Sequence, residues 1–433
     1  MNYQTAIGYL QNLTKFGINL GLDRINALLK RLGDPHLKLK VIHVGGTNGK
    51  GSTSAIIAAI LQQAGYRVGA FTSPHLHRYT ERYRVNGTEI SEQAVSELVQ
   101  QLKPHLDAMV AEGVEHPTEF EVSTAMALTY FYQEQVDYVV MEVGLGGAID
   151  STNVVQPLVS VITNVSMDHM NLLGNSIAEI AQVKAGIIKP QVPVVTAAAN
   201  KAALAIIKET CNKNGAPLTV VGQDITWSGQ GDSTIKGQYL TIKGKLHNYQ
   251  HLFLPLLGEH QQANAATAIA TLEALEPHGV ILTPAIVKAG MAKVSWPGRF
   301  EVLDTTPTIV LDGAHNLAGV KALVATLNRY FPQRGIVLVL GMLADKERQR
   351  VIATLTPMAE AVVITKPNNP RAGDWQQVAN WAKGYTKNVY VYEQVADAVD
   401  QGIALAKDQQ LLCVTGSLYM LAEARAHIFK TVE

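Results

Sequence analysis

Two series of short, β-branched apolar runs, each run separated from the next by a longer helical pattern, constrain this chain more than any other feature. The first series comprises residues 41–44, 67–71, 137–143, 158–165 and 192–196. The second comprises 308–311, 336–340, 361–365, 389–392 and 411–415. Runs that are apolar on both faces and spaced by helices belong to βαβ units, and such units build parallel sheets. Residues 1–40 carry amphipathic helical patterning instead. Between the two series the pattern changes again: 218–221, 225–227, 239–242 and 253–256 are separated by Gly, Asp and Ser clusters. That spacing predicts a small antiparallel appendage, followed by an Ala-rich helix over 261–275. Trp296-Pro297-Gly298 interrupts regular structure, so a domain boundary is expected there, dividing the chain into 1–297 and 298–433.

Composition narrows the function classes. Lys+Arg and Asp+Glu both number 36, giving zero formal net charge. No electrostatic footprint for nucleic acid or an anionic membrane follows from such a balance. With 47% hydrophobic and 17% charged residues, the chain reads as globular, long enough for two or three domains. Its two cysteines, Cys211 and Cys413, form no CxxC and no disulfide framework, which favours a reducing compartment. The first residues show no basic segment leading into an apolar run, and no run has the length of a membrane span. A soluble, cytoplasmic protein without nucleic-acid or membrane partners is expected.

Ligands of open parallel sheets bind outside the carboxyl ends of the strands, so the residues that follow each run matter most. After the first run comes Gly45-Gly46-Thr47-Asn48-Gly49-Lys50-Gly51-Ser52, leading into a helix. Glycines permit the turn and let amide N–H groups approach phosphate oxygens at a helix N-terminus. Lys50 adds a charge for terminal phosphates, and Ser52 offers a hydroxyl to magnesium. The loop departs from G-x-x-x-x-G-K-[ST] by placing Gly51 between the lysine and the serine.

The later runs end in Thr72-Ser73-Pro74, in Glu142-Val143-Gly144-Leu145-Gly146-Gly147 and in Ser166-Met167-Asp168-His169. Glu142 alone reads most simply as a capping or ion-paired acid; beside a phosphate loop it becomes a magnesium ligand, since that ion takes hard oxygen donors. His169 alone is more often structural. Lys184 falls on the apolar stripe Ile177, Ile180, Ala181, Ile187 of a helix predicted over 176–189. Either its stem covers apolar surface while the amine reaches water, or the amine is buried and neutral or modified; periodicity leaves both open. In the second series Asp312-Gly313-Ala314-His315-Asn316, Gly341-Met342-Leu343-Ala344-Asp345-Lys346 and Gly416-Ser417 follow strands. A nucleotide loop on one domain and polar strand ends on the other point to a cleft between them, with 297–299 as hinge.

These motifs, taken in order, resemble one family. Gly46-Thr47-Asn48-Gly49-Lys50-Gly51-Ser52 looks like the ATP loop of the Mur ligase superfamily. Thr72-Ser73-Pro74-His75-Leu76, Thr80-Glu81-Arg82, Thr118-Glu119-Phe120-Glu121, the Glu142–Gly147 segment, Asp150-Ser151-Thr152-Asn153, Lys184-Ala185-Gly186-Ile187-Ile188-Lys189, Pro297-Gly298-Arg299-Phe300-Glu301, Leu311–Asn316 and Thr415-Gly416-Ser417-Leu418-Tyr419 are similar to folylpolyglutamate and dihydrofolate synthases. The resemblance implies an α/β protein of two domains. The first is a P-loop parallel-sheet ATPase domain with a small antiparallel appendage; the second is a smaller Rossmann-like C-terminal domain that carries glutamate ligation.

The implied substrates are ATP, a reduced folate and L-glutamate, with two magnesium sites, room for a monovalent cation and a monomeric enzyme. Asn48, Gly49, Lys50, Gly51 and Ser52 would hold the triphosphate, with Asn264, Arg299 and Asp312 on the nucleotide. Ser52, Ser73, Glu142 and His169 would line the metal sites, joined by Lys184 as a carbamate, which would resolve its place on an apolar stripe. Arg82 is implied on the folate side, His315 and Ser417 near the incoming glutamate. By the same resemblance Lys50, Lys184 and His315 serve the chemistry. Two positions depart from the family pattern: Gly45 stands where many relatives have Thr, and Ala148 where many bifunctional relatives carry Arg. The second departure puts dihydrofolate synthase activity in question. Another Mur-type amino-acid ligase acting on a cell-wall precursor is an alternative, disfavoured by an ATP loop starting as early as residue 46. A kinase, or a nucleotide-binding protein without activity, stands behind it.

Overall fold

In the computed structural model, which describes residues 1–432 except 18, 20, 232, 408 and 409, the first series of apolar runs builds an eight-stranded sheet. Its strands are β1 (Val41–Gly45), β2 (Val68–Phe71), β3 (Tyr83–Val85), β4 (Thr88–Glu89), β5 (Tyr138–Glu142), β6 (Pro157–Ile162), β7 (Val194–Thr196) and β8 (Leu218–Val220), in the order β4-β3-β2-β5-β1-β6-β7-β8. From β2 to β8 every neighbouring pair is parallel. Alternate residues feed opposite cores: Val139 and Met141 of β5 pack among the N-terminal helices, while Val140 packs with Ile56, Ile60 and Ile269. Strands buried on both faces are what continuous apolar runs require.

Leu218–Val220 differs from its predicted place. It pairs parallel with β7 as the sheet's edge strand, and the antiparallel appendage has three strands: β9 (Thr226–Gly229), β10 (Gln238–Lys243) and β11 (Asn248–Leu254). Pattern alone could not assign the partner, because the helix Lys201–Asn214 supplies the crossover that makes the pairing parallel. The β3–β4 hairpin was missed, although its turn is Asn86-Gly87 with φ of 49° and 77°. Positive φ at both central residues is the two-residue turn that Asn-Gly favours. The hairpin fixes the segment before it: Thr72 N donates to Arg82 O at 3.1 Å.

The second series forms β12 (Glu301–Leu303), β13 (Thr308–Leu311), β14 (Ile336–Leu340), β15 (Ala359–Thr365), β16 (Val389–Tyr392) and β17 (Leu411–Thr415), ordered β12-β13-β17-β14-β15-β16. All but β12 are parallel. Its two faces carry separate cores, around Leu338 and Ile352 on one side and Val339 and Met420 on the other. Among the described residues no helix is long and apolar enough to cross a membrane.

Candidate active site

Strand β1 lies between β5 and β6, so the loops after all three meet at one sheet edge. The glycine loop leaves β1 and enters the helix Lys50–Gln63 through Gly49, whose φ is 83°. A side chain at Gly49 would run into Asn264 Oδ1 as well as straining the backbone. Gly51 answers to a different neighbour: a Cβ there would sit 2.8 Å from Cζ2 of Trp296. The departure from the commoner loop therefore has a packing cause.

The loop is braced from β6. Thr47 N donates to Asn164 O at 3.0 Å, Asn48 N to Asn164 Oδ1 at 2.9 Å, and Thr163 Oγ1 to Asn48 O at 2.7 Å. Two amines converge on it. Lys50 Nζ donates to Gly46 O (3.2 Å) and Thr47 O (3.3 Å), and Lys184 Nζ donates to Gly46 O at 3.0 Å. Lys184 thus does not reach water, being only 4% exposed. Its helix is shorter than predicted, Ile177–Ala185, capped by Gly186. Ala148 lies so close to Gly186 that no Cβ fits there, and Ala148 N donates to Val183 O at 2.9 Å. This close crossing presses the Lys184 turn against the loop.

Burial and the Lys50 charge push the Lys184 amine down to about 7. Burial pushes the Glu142 carboxyl up to about 7, opposed by Lys50, by the Ser73 N–H that reaches Oε2 at 3.4 Å, and by Arg299. His169, at a φ of 50°, is held at about 4 by burial and stays neutral at physiological pH. Both Glu142 and Lys184 are therefore poised within the range where they change charge.

The loop opens onto a cavity of about 410 Å³ whose lining includes Asn48, Lys50, Gly51, Ser52, Ser73, Glu142, His169, Lys184, Asn264, Arg299, Asp312 and His315. This is the size of a cofactor-sized cleft. Asp312, just beyond β13, ties two loops together: Oδ2 accepts from Phe300 N and Oδ1 from Ala314 N, both at 2.8 Å. Arg299 lines the cavity, where its charge opposes the upward shifts of Glu142 and Asp312.

A second cavity, about 650 Å³, adjoins the first and shares Ser73, Asp168, His169, His315 and Leu418 with it. Apolar Phe120, Leu145, Ile149, Met167 and Leu172 line it, with Arg82 and Ser417 among its polar groups. Arg82 is fixed by Glu119 Oε1 (3.1 Å) and His75 Nδ1 (3.0 Å) and lies 4.7 Å over the Tyr79 ring. Ser417 is buried and caps the helix Leu418–Val432 through Tyr419 N at 3.3 Å. Ile149 and Asp150 line this cavity while Ala148 does not.

Every site residue expected from sequence lines one of the two cavities. The expectations missed Lys346, Asn316 and Asp168, which meet between the cavities: Lys346 Nζ lies 2.6 Å from Asp168 Oδ1, and Asn316 Nδ2 2.9 Å from Oδ2. They missed His260 as well, half-buried in the lining of the first cavity and lowered to about 4 by desolvation and Arg299. The signal available was the position of Asp168, Asn316 and Lys346 directly after predicted strands.

Residues 44–272 match the Mur ligase middle domain, and 298–418 match the Mur ligase glutamate ligase domain. A dihydrofolate synthase/folylpolyglutamate synthase of Bacillus subtilis is 38% identical over 98% of this chain and 99% of its own. A folylpolyglutamate synthase of Lacticaseibacillus casei is 35% identical over 98% of both chains. The crystal structure of a Mycobacterium tuberculosis folylpolyglutamate synthase complexed with ADP and AMPPCP matches with a TM-score of 0.91 at 33% identity, covering 98% of each chain.

Proposed function

The chain belongs to the folylpolyglutamate and dihydrofolate synthases of the Mur ligase superfamily, and from that premise we propose that it couples ATP cleavage to addition of L-glutamate to the glutamate tail of a reduced folate. The observation that carries this reading is the pair of adjoining cavities: a phosphate loop opens on one side, a larger and more apolar chamber on the other, with Ser73, His169 and His315 in the shared wall. Full-length similarity to folate enzymes favours this substrate over a cell-wall precursor, and the match of 298–418 to a glutamate ligase domain sets it apart from a kinase. Residues 1–297 form the ATP-binding domain in this reading, and 298–433 the glutamate-ligating one.

Amide formation from a carboxylate in water is uphill, and the carboxylate is a poor electrophile. The folate tail carboxylate attacks the γ-phosphoryl group of ATP in line, forming an acyl phosphate and releasing ADP. The glutamate amine then attacks that carbonyl, and phosphate leaves with the acyl C–O bond pair. The loop amides and Lys50 receive the phosphate charge at the helix N-terminus, and Arg299 reaches the nucleotide from the hinge. Asn264, pressed against Gly49, and Asp312, bracing Phe300 and Ala314, shape the nucleotide pocket. Arg82 holds the folate end of the larger cavity; His315 and Ser417 border the glutamate end.

Magnesium fits the donor set: Glu142 is a buried carboxylate with one weak hydrogen bond, Ser52 and Ser73 are hydroxyls, and His169 is neutral. Magnesium takes few protein ligands and completes its shell with phosphate and water. When bound, the ion neutralises phosphate charge. The Lys184 amine, down at about 7, is substantially free base at neutral pH. It can add to carbon dioxide, releasing a proton and converting a cation beside the loop into a carbamate anion.

The test is glutamate-dependent ADP release with ATP and magnesium, supplying tetrahydrofolate and dihydropteroate in separate reactions. Turnover with tetrahydrofolate alone supports the single activity that Ala148 suggests. Turnover with both assigns two activities. No turnover with either rejects the folate reading. Oxygen isotope from a labelled folate carboxylate must appear in the released phosphate.

A further inference from the structure

A continuous polar chain crosses from the nucleotide loop to the larger cavity. Asn316, 3% exposed, uses every hydrogen-bonding position its amide has. Oδ1 accepts from Gly319 N (2.9 Å), capping the helix Leu317–Tyr330, and from Asn48 Nδ2 (3.2 Å). Nδ2 donates to Asn48 Oδ1 (3.0 Å) and Asp168 Oδ2 (2.9 Å). The cap fixes which side of the amide is oxygen, so the nitrogen must face Asp168. Asp168 is equally saturated: Oδ1 accepts from Lys346 Nζ at 2.6 Å and His169 N at 2.8 Å, while Oδ2 has Asn316 and, at 3.6 Å, His315 Nε2.

Asn48 belongs to the loop and Asp168 to the segment after β6, whereas Asn316 and Lys346 follow β13 and β14 of the second sheet. The Lys346 and Asp168 side chains are 6% and 7% exposed, so neither ion can trade its partner for water. Removing Asp168 leaves Lys346 only the Asp345 carboxylate at 4.0 Å, and removing Lys346 leaves Asp168 a buried anion without its ammonium partner, both of which such sites tolerate poorly.

We infer that Asn316 and Asp168 are positioning residues that lock the nucleotide loop and Lys346 into one unit, so that the loop and the wall of the larger cavity are set by a single hydrogen-bonded constellation. This rests on the ligase reading, because it concerns how that reaction's two cavities are held in register. Residues acting as a unit lose activity non-additively, whereas independent supports add.

Asn316→Ser keeps a good helix cap but is too short to reach Asn48 and Asp168. It is combined with Lys346→Met in a double-mutant cycle on kcat and on KM for ATP, tetrahydrofolate and L-glutamate. Each single variant is expected to lower kcat by about 10- to 100-fold, the range for misplacement of about 1 Å, with the double variant no worse than the poorer single. Asn316→Asp, which sets two carboxylates face to face, should be worse than Asn316→Ser, and adding Asp168→Asn should recover the part of that loss due to carboxylate repulsion while Lys346 remains without its close anion. If Asn316→Ser fails to fold, the cycle of Asp168→Asn with Lys346→Met reads the same coupling. Additive losses in a wild type that turns over, or a Lys346→Met effect confined to the KM for glutamate, overturn this inference alone. Absence of wild-type turnover overturns the ligase reading and the inference with it.

Discussion

Replacing Glu142 by Gln should stabilise the ligand-free protein and abolish its response to magnesium and ATP. The carboxyl is 5% exposed and accepts a single long hydrogen bond, from Ser73 N at 3.4 Å. Burial outweighs the favourable charges of Lys50 and Arg299 and lifts it from its ordinary 4.5 to about 7. At about 1.4 kcal/mol per tenfold change in proton affinity, that interval is worth about 3 kcal/mol. Between pH 4.5 and 7 the folded protein keeps a proton that the unfolded chain has released, so wild-type stability falls as pH rises through this window and levels off above it. Gln is isosteric, keeps an acceptor for Ser73 N and never ionises. Melting temperatures of wild type and variant, without nucleotide, should therefore coincide near pH 4.5 and separate up to about pH 7, with the variant the more stable. Magnesium and ATP should then raise the wild-type melting temperature and leave the variant unmoved. A variant less stable than wild type at pH 8, or a gap that does not change with pH, would refute the account of Glu142 as an acid ionised at the expense of the fold in order to meet a cation.

Three further outcomes are expected. Lys184→Met should abolish glutamate-dependent ADP release while the fold persists, and wild-type activity should fall when bicarbonate and carbon dioxide are removed and return when they are restored; enriched carbonate should give a carbamate carbon resonance absent from the variant. Gly51→Val places branched carbons against the Trp296 ring, where even a Cβ would lie 2.8 Å from Cζ2, and should weaken binding of an ATP analogue by about tenfold or more, as overpacking of about 1–3 kcal/mol would, measured by calorimetry. Arg82→Ala breaks the contacts with Glu119 and His75, leaving the half-buried Glu119 carboxylate only the Tyr79 hydroxyl, and should raise the KM for tetrahydrofolate while the ATP dissociation constant stays within about twofold.

How much of this was legible follows from where each signal resides. The β1 loop could be read because backbone torsion and phosphate geometry together demand glycines, a lysine and a hydroxyl in fixed order, and a sequence shows order directly. Gly51 was visible only as an irregularity; its cause, Trp296, is 245 positions away and becomes a neighbour only on folding. Lys184 shows the same limit from the other side. Periodicity placed it on an apolar stripe but could not say where the amine ended, because that depends on the approach of Ala148 to Gly186. The helical stripe itself was overextended past Ala185, since nothing local stops a helix at Gly186 as firmly as the crossing loop does. Leu218–Val220 was assigned to the wrong sheet for a related reason, pairing partners being a property of the crossover rather than of the strand. The chain Asn48–Asn316–Asp168–Lys346 is the extreme case. Each residue follows a strand and so was open to suspicion, but no one-dimensional pattern links position 48 to 316 or 168 to 346. Short polar side chains gain meaning from saturation, and saturation is a fact about three dimensions. The sequence could therefore expose the groups proposed to hold phosphate, whose spacing chemistry dictates, and could not expose the groups that link the two sheets' loops to each other.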